Sequence, residues 1–402
     1  MLVTHLDLTD FRNYERADLA LVAGSNVFVG SNGQGKTNLV EALGYLSTLG
    51  SHRVSTDHAM IRQGCESAIV RARLRNGERE ILAEVQLNRS SANRAQINRS
   101  AIKTRELPRY FSSVTFAPED LSLVRGEPSG RRRFLDELLV LRNPRFSGVF
   151  SDYDRVLKQR NTLLKSLRAS GVKIDSVSTL DIWDERLVTL GSEIIDARVD
   201  LVSTLLPEVS RAYVAIAGED HSATLGHQLT IAPDADSAFP ELSTDGVLSG
   251  AIDAARVDVR ARFTAGLAAV RRAEVDRATT LIGPHRDDVV LSLNGMPARG
   301  FASHGESWSF ALALKLASAE VLRRDSASGD PVLILDDVFA ELDQSRRGRL
   351  ASAVGGFEQV LITAAVLDDV PDALAANMVH ISRGRIVVDP RETSAAHPEE
   401  ER

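Results

Sequence analysis

The sequence reads Gly30-Ser31-Asn32-Gly33-Gln34-Gly35-Lys36-Thr37 between a short apolar run and a segment with helical spacing. It matches G-x-x-x-x-G-K-[ST] at a strand-to-helix turn, the context that a phosphate loop requires. The glycines let several backbone N–H groups point into one concavity, and the helix N-terminus adds a positive dipole end. The motif predicts a phosphate site in which Lys36 reaches the β- and γ-phosphates and Thr37 ligates Mg²⁺.

A second apolar run, Val332-Leu333-Ile334-Leu335, ends in the carboxylates Asp336 and Asp337. At the end of a parallel strand, such a pair lies beside the phosphate loop. We therefore expect Asp336 to hold Mg²⁺ through water and Asp337 to polarise the attacking water. An acidic surface turn is the alternative.

Composition limits the class of protein. The chain has 402 residues, 43% of them hydrophobic and 26% charged, with a formal net charge of −7. This content supports a sizeable core and disfavours a uniformly basic surface, although local basic patches remain possible. The single cysteine, Cys65, excludes an intrachain disulfide. No apolar run approaches the ~20 residues of a membrane span and no signal segment is evident, so we expect a cytoplasmic protein without membrane association.

Periodicity predicts an α/β chain interrupted by helices. Alternating or apolar runs predict strands at 2–8, 25–30, 68–74, 81–87, 114–116, 289–293, 332–335, 360–362 and within 379–388. Helical spacing predicts helices at 37–49, about 247–280 and about 306–324, and a pair between about 146 and 207 that Pro207 ends. Roughly 24 residues per helix would make this pair an antiparallel arm of about 36 Å.

These elements predict four segments. Residues 1–125 and 281–388 form the two parts of an α/β head, and residues 126–280 form an inserted helical lobe with the short hairpin arm. The polar tail 389–402 is expected to be disordered.

A third segment with chemical content is Ser303-His304-Gly305-Glu306 at the start of a predicted helix. Ser303 and Gly305 would present backbone N–H groups at the helix N-terminus, which favours an anion. An ordinary N-cap explains the pattern equally well. Its position after the insertion and about thirty residues before the acidic pair favours the anion site.

The order of these motifs resembles the ATP-binding-cassette ATPases and, within them, the RecF family. The resemblance covers nearly the whole chain. Besides the phosphate loop, it is carried by residues 11–14, 51–53, 116–121, 132–136, 283–288, 311–317 and 335–343. Phe11-Arg12-Asn13-Tyr14 and Gly283-Pro284-His285-Arg286-Asp287-Asp288 are the specific motifs. The chain departs from many RecF sequences at the signature, where Ser-His-Gly-Glu-Ser-Trp replaces a glutamine-containing segment.

The resemblance implies an ATP-binding-cassette head, related to the heads of structural-maintenance-of-chromosomes proteins, whose two copies associate around ATP and Mg²⁺. Ser303 and Gly305 of one copy would contact the γ-phosphate held by Lys36 of the other, with Asp337 activating water. The nucleotide contacts implied are Arg12, Asn13, Gly30, Ser31, Asn32, Gly33, Gln34, Gly35, Lys36 and Thr37. Most cassette ATPases have glutamate where Asp337 stands, and the shorter side chain predicts slow hydrolysis that acts as a timer. The resemblance implies a weak ATPase that DNA stimulates.

The family also implies binding to duplex or gapped DNA and RecA loading with RecR and RecO. Basic clusters offer candidate contacts with phosphates: Arg89, Arg94, Arg99, Lys103, Arg105 and Arg109; Arg125 and Arg131 to Arg133; and Arg155, Lys158, Arg160, Lys165 and Arg168. Solvated surface is the alternative for each cluster. The rival functions are a nucleotide-binding subunit of a transporter, a nuclease-associated cassette protein and a chromosome-organising protein.

Overall fold

In a computed structural model, the protein is described at residues 1–170, 178–218, 221–231, 258–326 and 329–387. The chain forms two compact units. Unit 1 comprises Met1–Asp120, Ala215–Gly218 and Leu312–Arg402, and unit 2 comprises Leu121–Val214 and Glu219–Ala311. The predicted tail and the loop 171–177 lie outside the described residues.

The N-terminal part of unit 1 alternates strands with one helix. Its elements are β1 (Leu2–Phe11), β2 (Tyr14–Ala20), β3 (Gly24–Val29), α1 (Lys36–Thr48), β4 (Ser67–Asn76), β5 (Arg79–Asn88), β6 (Arg94–Ile97), β7 (Ser100–Ile102) and β8 (Ser113–Phe116). The strands predicted at 2–8, 25–30, 68–74, 81–87 and 114–116 and the helix at 37–49 are confirmed.

Unit 2 is mainly helical. Its elements are α2 (Leu121–Arg125), α3 (Pro128–Arg142), α4 (Phe146–Ser170), α5 (Ser178–Ala217, whose last residues belong to unit 1), β9 (Ala223–Gln228), α6 (Val259–Arg277), β10 (Asp288–Leu293), β11 (Met296–Pro297), the irregular turn α7 (Ala298–Phe301) and the start of α8 (His304–Asp325). The predicted hairpin at Asn294-Gly295 is confirmed, since β10 pairs with β11. Part of the helix predicted at 247–280 lies outside the described residues, and α6 covers the rest.

Two differences from the sequence prediction have physical reasons. Pro207 does not end α5, which continues to Ala217; the apolar spacing also continues, with Val209, Tyr213 and Ile216 fully buried. Their packing outweighs the ~3 kcal/mol that an interior proline costs. Residues 281–311 lie in unit 2 and not in the head, because β10 pairs with β9 along six residues.

The chain returns to unit 1 through α8 and adds β12 (Val332–Asp336), α9 (Gln344–Val354), β13 (Gln359–Ala364), β14 (Asn377–Ser382) and β15 (Arg385–Val387). One sheet has the order β15-β14-β3-β13-β12-β8 and the other the order β2-β1-β4-β5-β6-β7. Parallel partners β13 and β14 flank β3 on both sides. The phosphate-loop strand therefore depends on the C-terminal segment.

The core of unit 1 joins both sheets to α1. Leu39 and Leu43 of α1 share one apolar cluster with Leu6 and Val70 of the antiparallel sheet and Ile334 of the parallel sheet. Because β12 and β3 are held in one parallel sheet against α1, their carboxyl ends are fixed at the same edge.

Candidate nucleotide site

The phosphate loop links β3 to α1 and depends on glycine geometry. Gly33 and Gly35 have φ values of 80° and 116°, which disfavour residues with a side chain. A Cβ at Gly35 would lie 2.8–2.9 Å from the side-chain atoms of Asn13 and Tyr14. The Tyr14 hydroxyl donates to the Gly35 carbonyl at 3.2 Å, and Asn13 Nδ2 donates to the Gln34 carbonyl at 3.1 Å. The motif at residues 11–14 thus supports the loop.

Lys36 curls back over the loop. Its Nζ donates to the carbonyl of Gly30 and, at 3.3 Å each, to the carbonyl of Ser31 and to Asn32 Oδ1. Burial lowers the pKa of Lys36, while the nearby charges of Asp337 and Asp336 oppose that shift. The ammonium is therefore held by neutral oxygen acceptors of the loop, and the carboxylates of Asp336 and Asp337 are near enough to influence its charge.

Asp336 ends β12 and meets α1. Its Oδ1 accepts from Thr37 Oγ1 at 2.9 Å and from Thr363 Oγ1 at 2.7 Å, and its Oδ2 lies 3.4 Å from His52 Nε2. Burial raises the pKa of Asp336, but the contacts with His52, Thr363 and Thr37 outweigh burial and leave the pKa below its ordinary value. Asp336 is therefore an ionised carboxylate beside the Thr37 hydroxyl.

Asp337 has a strained backbone and a buried carboxylate oxygen. Its φ is 55°, a left-handed value, and its N–H donates to Thr363 Oγ1 at 2.9 Å. Burial raises the pKa of this carboxyl, partly offset by Lys36. Among the described residues, its Oδ1 has no hydrogen-bond partner. This oxygen can accept a hydrogen bond from a water molecule.

Two cavities adjoin at this edge of unit 1. One, of about 320 Å³, is lined by Asn32, Gly33, Gly35, Lys36, Thr37, Asn38, Arg53 and Asp337. The other, of about 540 Å³, is lined by Arg12, Asn13, Asn38, Arg53, His58, Ala59, Ile61, Gln63 and Arg89. Arg12 and Asn13, predicted nucleotide contacts, therefore face the second cavity and not the one over the phosphate loop. Asn38 and Arg53 line both.

Three supporting residues were not assigned roles from the sequence. Thr363 holds Asp336 and Asp337, His52 faces Asp336, and Glu41 accepts two hydrogen bonds from Arg12. The motif Ser51-His52-Arg53 marked one of them by family resemblance. Thr363 and Glu41 carry no local signal, because each is an ordinary residue within a strand or a helix.

The signature segment of unit 2 forms a capping box at the start of α8. Glu306 Oε2 accepts from the Ser303 N–H at 2.7 Å, and the Ser303 hydroxyl accepts from the Glu306 N–H at 3.3 Å. Arg125 Nε donates to Ser307 Oγ at 3.0 Å, which fixes this first turn. The Glu306 carboxylate thus occupies the Ser303 N–H.

The motif at residues 283–288 is a structural junction of unit 2. Arg198 donates to the Pro284 carbonyl at 2.6 Å and Arg132 to the Asp287 carbonyl at 2.8 Å. His285 Nδ1 lies 2.8 Å from the Tyr153 hydroxyl, and burial lowers its pKa to about 4. His285 is therefore a neutral, hydrogen-bonded histidine within unit 2.

The structure removes two basic residues from the candidate DNA contacts. Arg160 is fully buried against Glu274 and Asp184, and Arg131 is buried against Asp288. A buried arginine needs such partners because an unpaired charge is costly to desolvate. The exposed candidates around the β6–β7 hairpin are Arg94, Arg99, Lys103, Arg105 and Arg109.

The oxygen donors at this site suit a hard cation that also binds ligands from outside the protein. Thr37 and Asp336 offer oxygen donors, as Mg²⁺ prefers, and Mg²⁺ in nucleotide sites takes its remaining ligands from phosphates and water. Within the described ranges no group of three or more His, Cys, Asp or Glu side chains could hold a metal by itself.

No helix in those ranges is long and apolar enough to cross a membrane.

The same architecture occurs in known proteins. The family model for the RecF/RecN/SMC N-terminal domain matches residues 2–384. The DNA replication and repair protein RecF of Clavibacter sepedonicus is 66% identical over 398 residues, 99% of this chain and 98% of the relative. The chain belongs to the RecF family. RecF of Leifsonia xyli is 63% identical and covers 96% of this chain and 99% of its own.

Solved structures share the fold of this chain. The structure of the recombination mediator protein RecF with ATP aligns with a TM-score of 0.82 at 27% identity, covering 96% of each chain. The Smc head domain of Pyrococcus yayanosii aligns with a TM-score of 0.52 at 14% identity, covering 96% of each chain, and shows a shared fold alone. The predicted α/β fold, a P-loop ATPase head with a helical insertion, is confirmed.

Proposed function

We propose that this chain binds ATP with the triphosphate in the cavity over residues 30–37 and the nucleoside in the adjoining cavity beside Arg12 and Asn13. The observation that carries the proposal is the hydrogen bond between Thr37 and Asp336. It joins the last residue of the phosphate loop to the carboxylate at the end of β12, as a nucleotide site with Mg²⁺ requires. The relative described with ATP supports the same ligand.

Thr37 and Asp336 would hold Mg²⁺, which neutralises charge on the β- and γ-phosphates when bound. Lys36 exchanges its loop carbonyls for phosphate oxygens, because an ammonium gains more from an anion than from neutral acceptors. Asp337 orients water through its unpartnered Oδ1. Its side chain is one methylene shorter than glutamate, so hydrolysis is slow and acts as a timer.

Two copies associate around ATP in this proposal. The loop binds the triphosphate from one side, and the α8 N-terminus of a second copy supplies further donors through Ser303 and Gly305. The γ-phosphate competes with Glu306 for the Ser303 N–H. Hydrolysis removes the shared phosphate and releases the dimer.

The dimer binds duplex or gapped DNA. The chain acts in recombinational repair and replication in the cytoplasm and, together with RecR and RecO, aids RecA loading. The exposed arginines around the β6–β7 hairpin support a contact with phosphates that lacks sequence readout. Counterion release makes such binding fall steeply with salt.

Charge reversal at Arg94, Arg99 and Arg105 together should flatten the salt dependence of duplex binding; an unchanged slope would remove the hairpin from the interface.

The deciding experiment measures molar mass in solution with ADP, with ATP, and with ATP plus duplex DNA, for the wild type and for Ser303→Arg. We expect concentration-dependent dimers with ATP that the substitution abolishes, while each variant still binds ATP. Dimers that form equally with ADP, or that persist in Ser303→Arg, would refute the shared-nucleotide mechanism.

A further inference from the structure

Glu41 is a buried carboxylate that the reaction scheme above leaves unused. It lies on α1 one turn after Thr37, and its side chain is fully buried. Its two oxygens accept from Arg12 Nε at 2.8 Å and Arg12 Nη2 at 2.5 Å. The Ser51 hydroxyl donates to the same carboxylate. Glu41 therefore ties α1 both to the segment after β1 and to the segment after the helix.

Arg53 is the second guanidinium near this carboxylate. Its Nη1 lies 3.8 Å from Glu41 and donates to Asn38 Oδ1 at 3.0 Å. Its backbone N–H donates at 2.9 Å to Ser51 Oγ, the atom that also contacts Glu41. The Arg53 side chain is 39% exposed, and it lines both cavities. Glu41 thus acts on Arg53 directly and through Ser51.

Two guanidinium groups, those of Arg12 and Arg53, lie near the single carboxylate of Glu41, so one positive charge is left over. Arg12 uses its third nitrogen on the Ala59 carbonyl at 2.8 Å, and its side chain is only 16% exposed. Arg12 and Glu41 therefore neutralise each other as a buried bidentate pair. Arg53 keeps a surplus positive charge at the junction of the cavities, where a nucleotide's phosphates would pass.

We infer that Glu41 is a positioning residue for nucleotide binding: it fixes Arg53 so that this guanidinium contacts the phosphates of the bound nucleotide, which Glu41 itself never touches. The inference rests on the proposed function for the identity of the ligand. It assigns Arg53 to the nucleotide and Arg12 to holding Glu41.

The test is Glu41→Gln in the full chain, which keeps the side-chain shape and removes the charge. We expect the Kd for ATP, measured by calorimetry, to rise about tenfold, as for one lost charge-assisted contact. The kcat at saturating ATP should stay within about twofold, because Arg53 binds and does not activate water. Glu78→Gln, the same change in an exposed turn, is the matched control and should leave both values unchanged.

A double-mutant cycle separates positioning from general structure. Arg53→Gln should weaken ATP binding, and Glu41→Gln should add nothing in its presence. Additive effects, or a Glu41→Gln variant that binds ATP as the wild type does, would overturn the inference. Failure of the wild type to bind ATP would instead overturn the proposed function.

Thermal unfolding without nucleotide reports whether Glu41→Gln folds. If it does not, Ser51→Ala tests the same link, since it removes the hydroxyl between Glu41 and the Arg53 backbone. That variant should raise the Kd for ATP severalfold with little change in kcat. A wild-type Kd in a folded Ser51→Ala variant would then refute the positioning role.

Discussion

Replacement of Thr363 by valine tests how the acidic pair is held. The hydroxyl donates to Asp336 Oδ1 at 2.7 Å and accepts from the Asp337 N–H at 2.9 Å, so valine keeps the shape and removes both bonds. A bond to a charged group contributes about 1.5–3 kcal/mol, and an unsatisfied buried N–H costs about 1–3 kcal/mol. Because the Asp337 backbone is partly accessible, we take a net loss of about 2 kcal/mol, which lowers Tm by roughly 4–8 °C.

The same substitution should affect hydrolysis and acid stability. Misplacing Asp337 by a fraction of an ångström should lower kcat about tenfold or more. The pKa of Asp336 should rise toward its ordinary value. A depressed carboxyl pKa contributes stability above the unfolded-state pKa, and this stability is lost as pH falls through the folded-state pKa; the variant should therefore lose that contribution.

Thr363→Ser is the control. It restores the hydroxyl and removes one methyl group, which costs about 0.8 kcal/mol, so kcat should remain within about threefold of wild type. Differential scanning calorimetry and steady-state phosphate release measure the two effects. Equal losses in the serine and valine variants, or a valine variant with unchanged Tm and kcat, would refute the reasoning.

Four further outcomes are expected. Gly35→Ala should abolish ATP binding in calorimetry, because φ is 116° and the new Cβ meets Asn13 and Tyr14 within 2.9 Å. Asp337→Glu should hydrolyse ATP faster in a phosphate-release assay; an equal or slower rate would contradict the argument from side-chain reach. Arg160→Met should lower the free energy of unfolding in urea by about 3–5 kcal/mol, because the buried Glu274 loses its ion pair. Burial lowers the pKa of His285 to about 4, so as pH falls below 6.5 the unfolded state takes up a proton before the folded state does. The wild type should therefore lose stability between pH 6.5 and 4. The free energy of unfolding in urea should fall about 3 kcal/mol less over this range in His285→Gln than in the wild type.

Local patterns predicted the secondary-structure elements and the positions of the motif residues better than the residues that support them. Apolar spacing located β3, α1 and β12, and the two sequence motifs indicated that Thr37 and Asp336 meet at one edge of unit 1, where the structure has them hydrogen-bonded. Thr363 and Glu41 escaped because their roles depend on strands and helices that meet only in the folded chain. The burial of Arg160 was also not predicted. In the sequence it resembles a surface residue, and only the folded chain places Glu274 and Asp184 around it.

The position of β3 between β13 and β14 constrains biosynthesis. Ser25 of β3 and its register partner Val360 of β13 are 335 residues apart in the chain (360 − 25). At ~5–20 residues per second, a ribosome needs roughly 20–70 s to traverse that interval. Until then the strand before the phosphate loop has neither neighbour, so a nascent or prematurely terminated chain has no assembled pocket. Synthesis through β14 is therefore a precondition for assembly of the pocket.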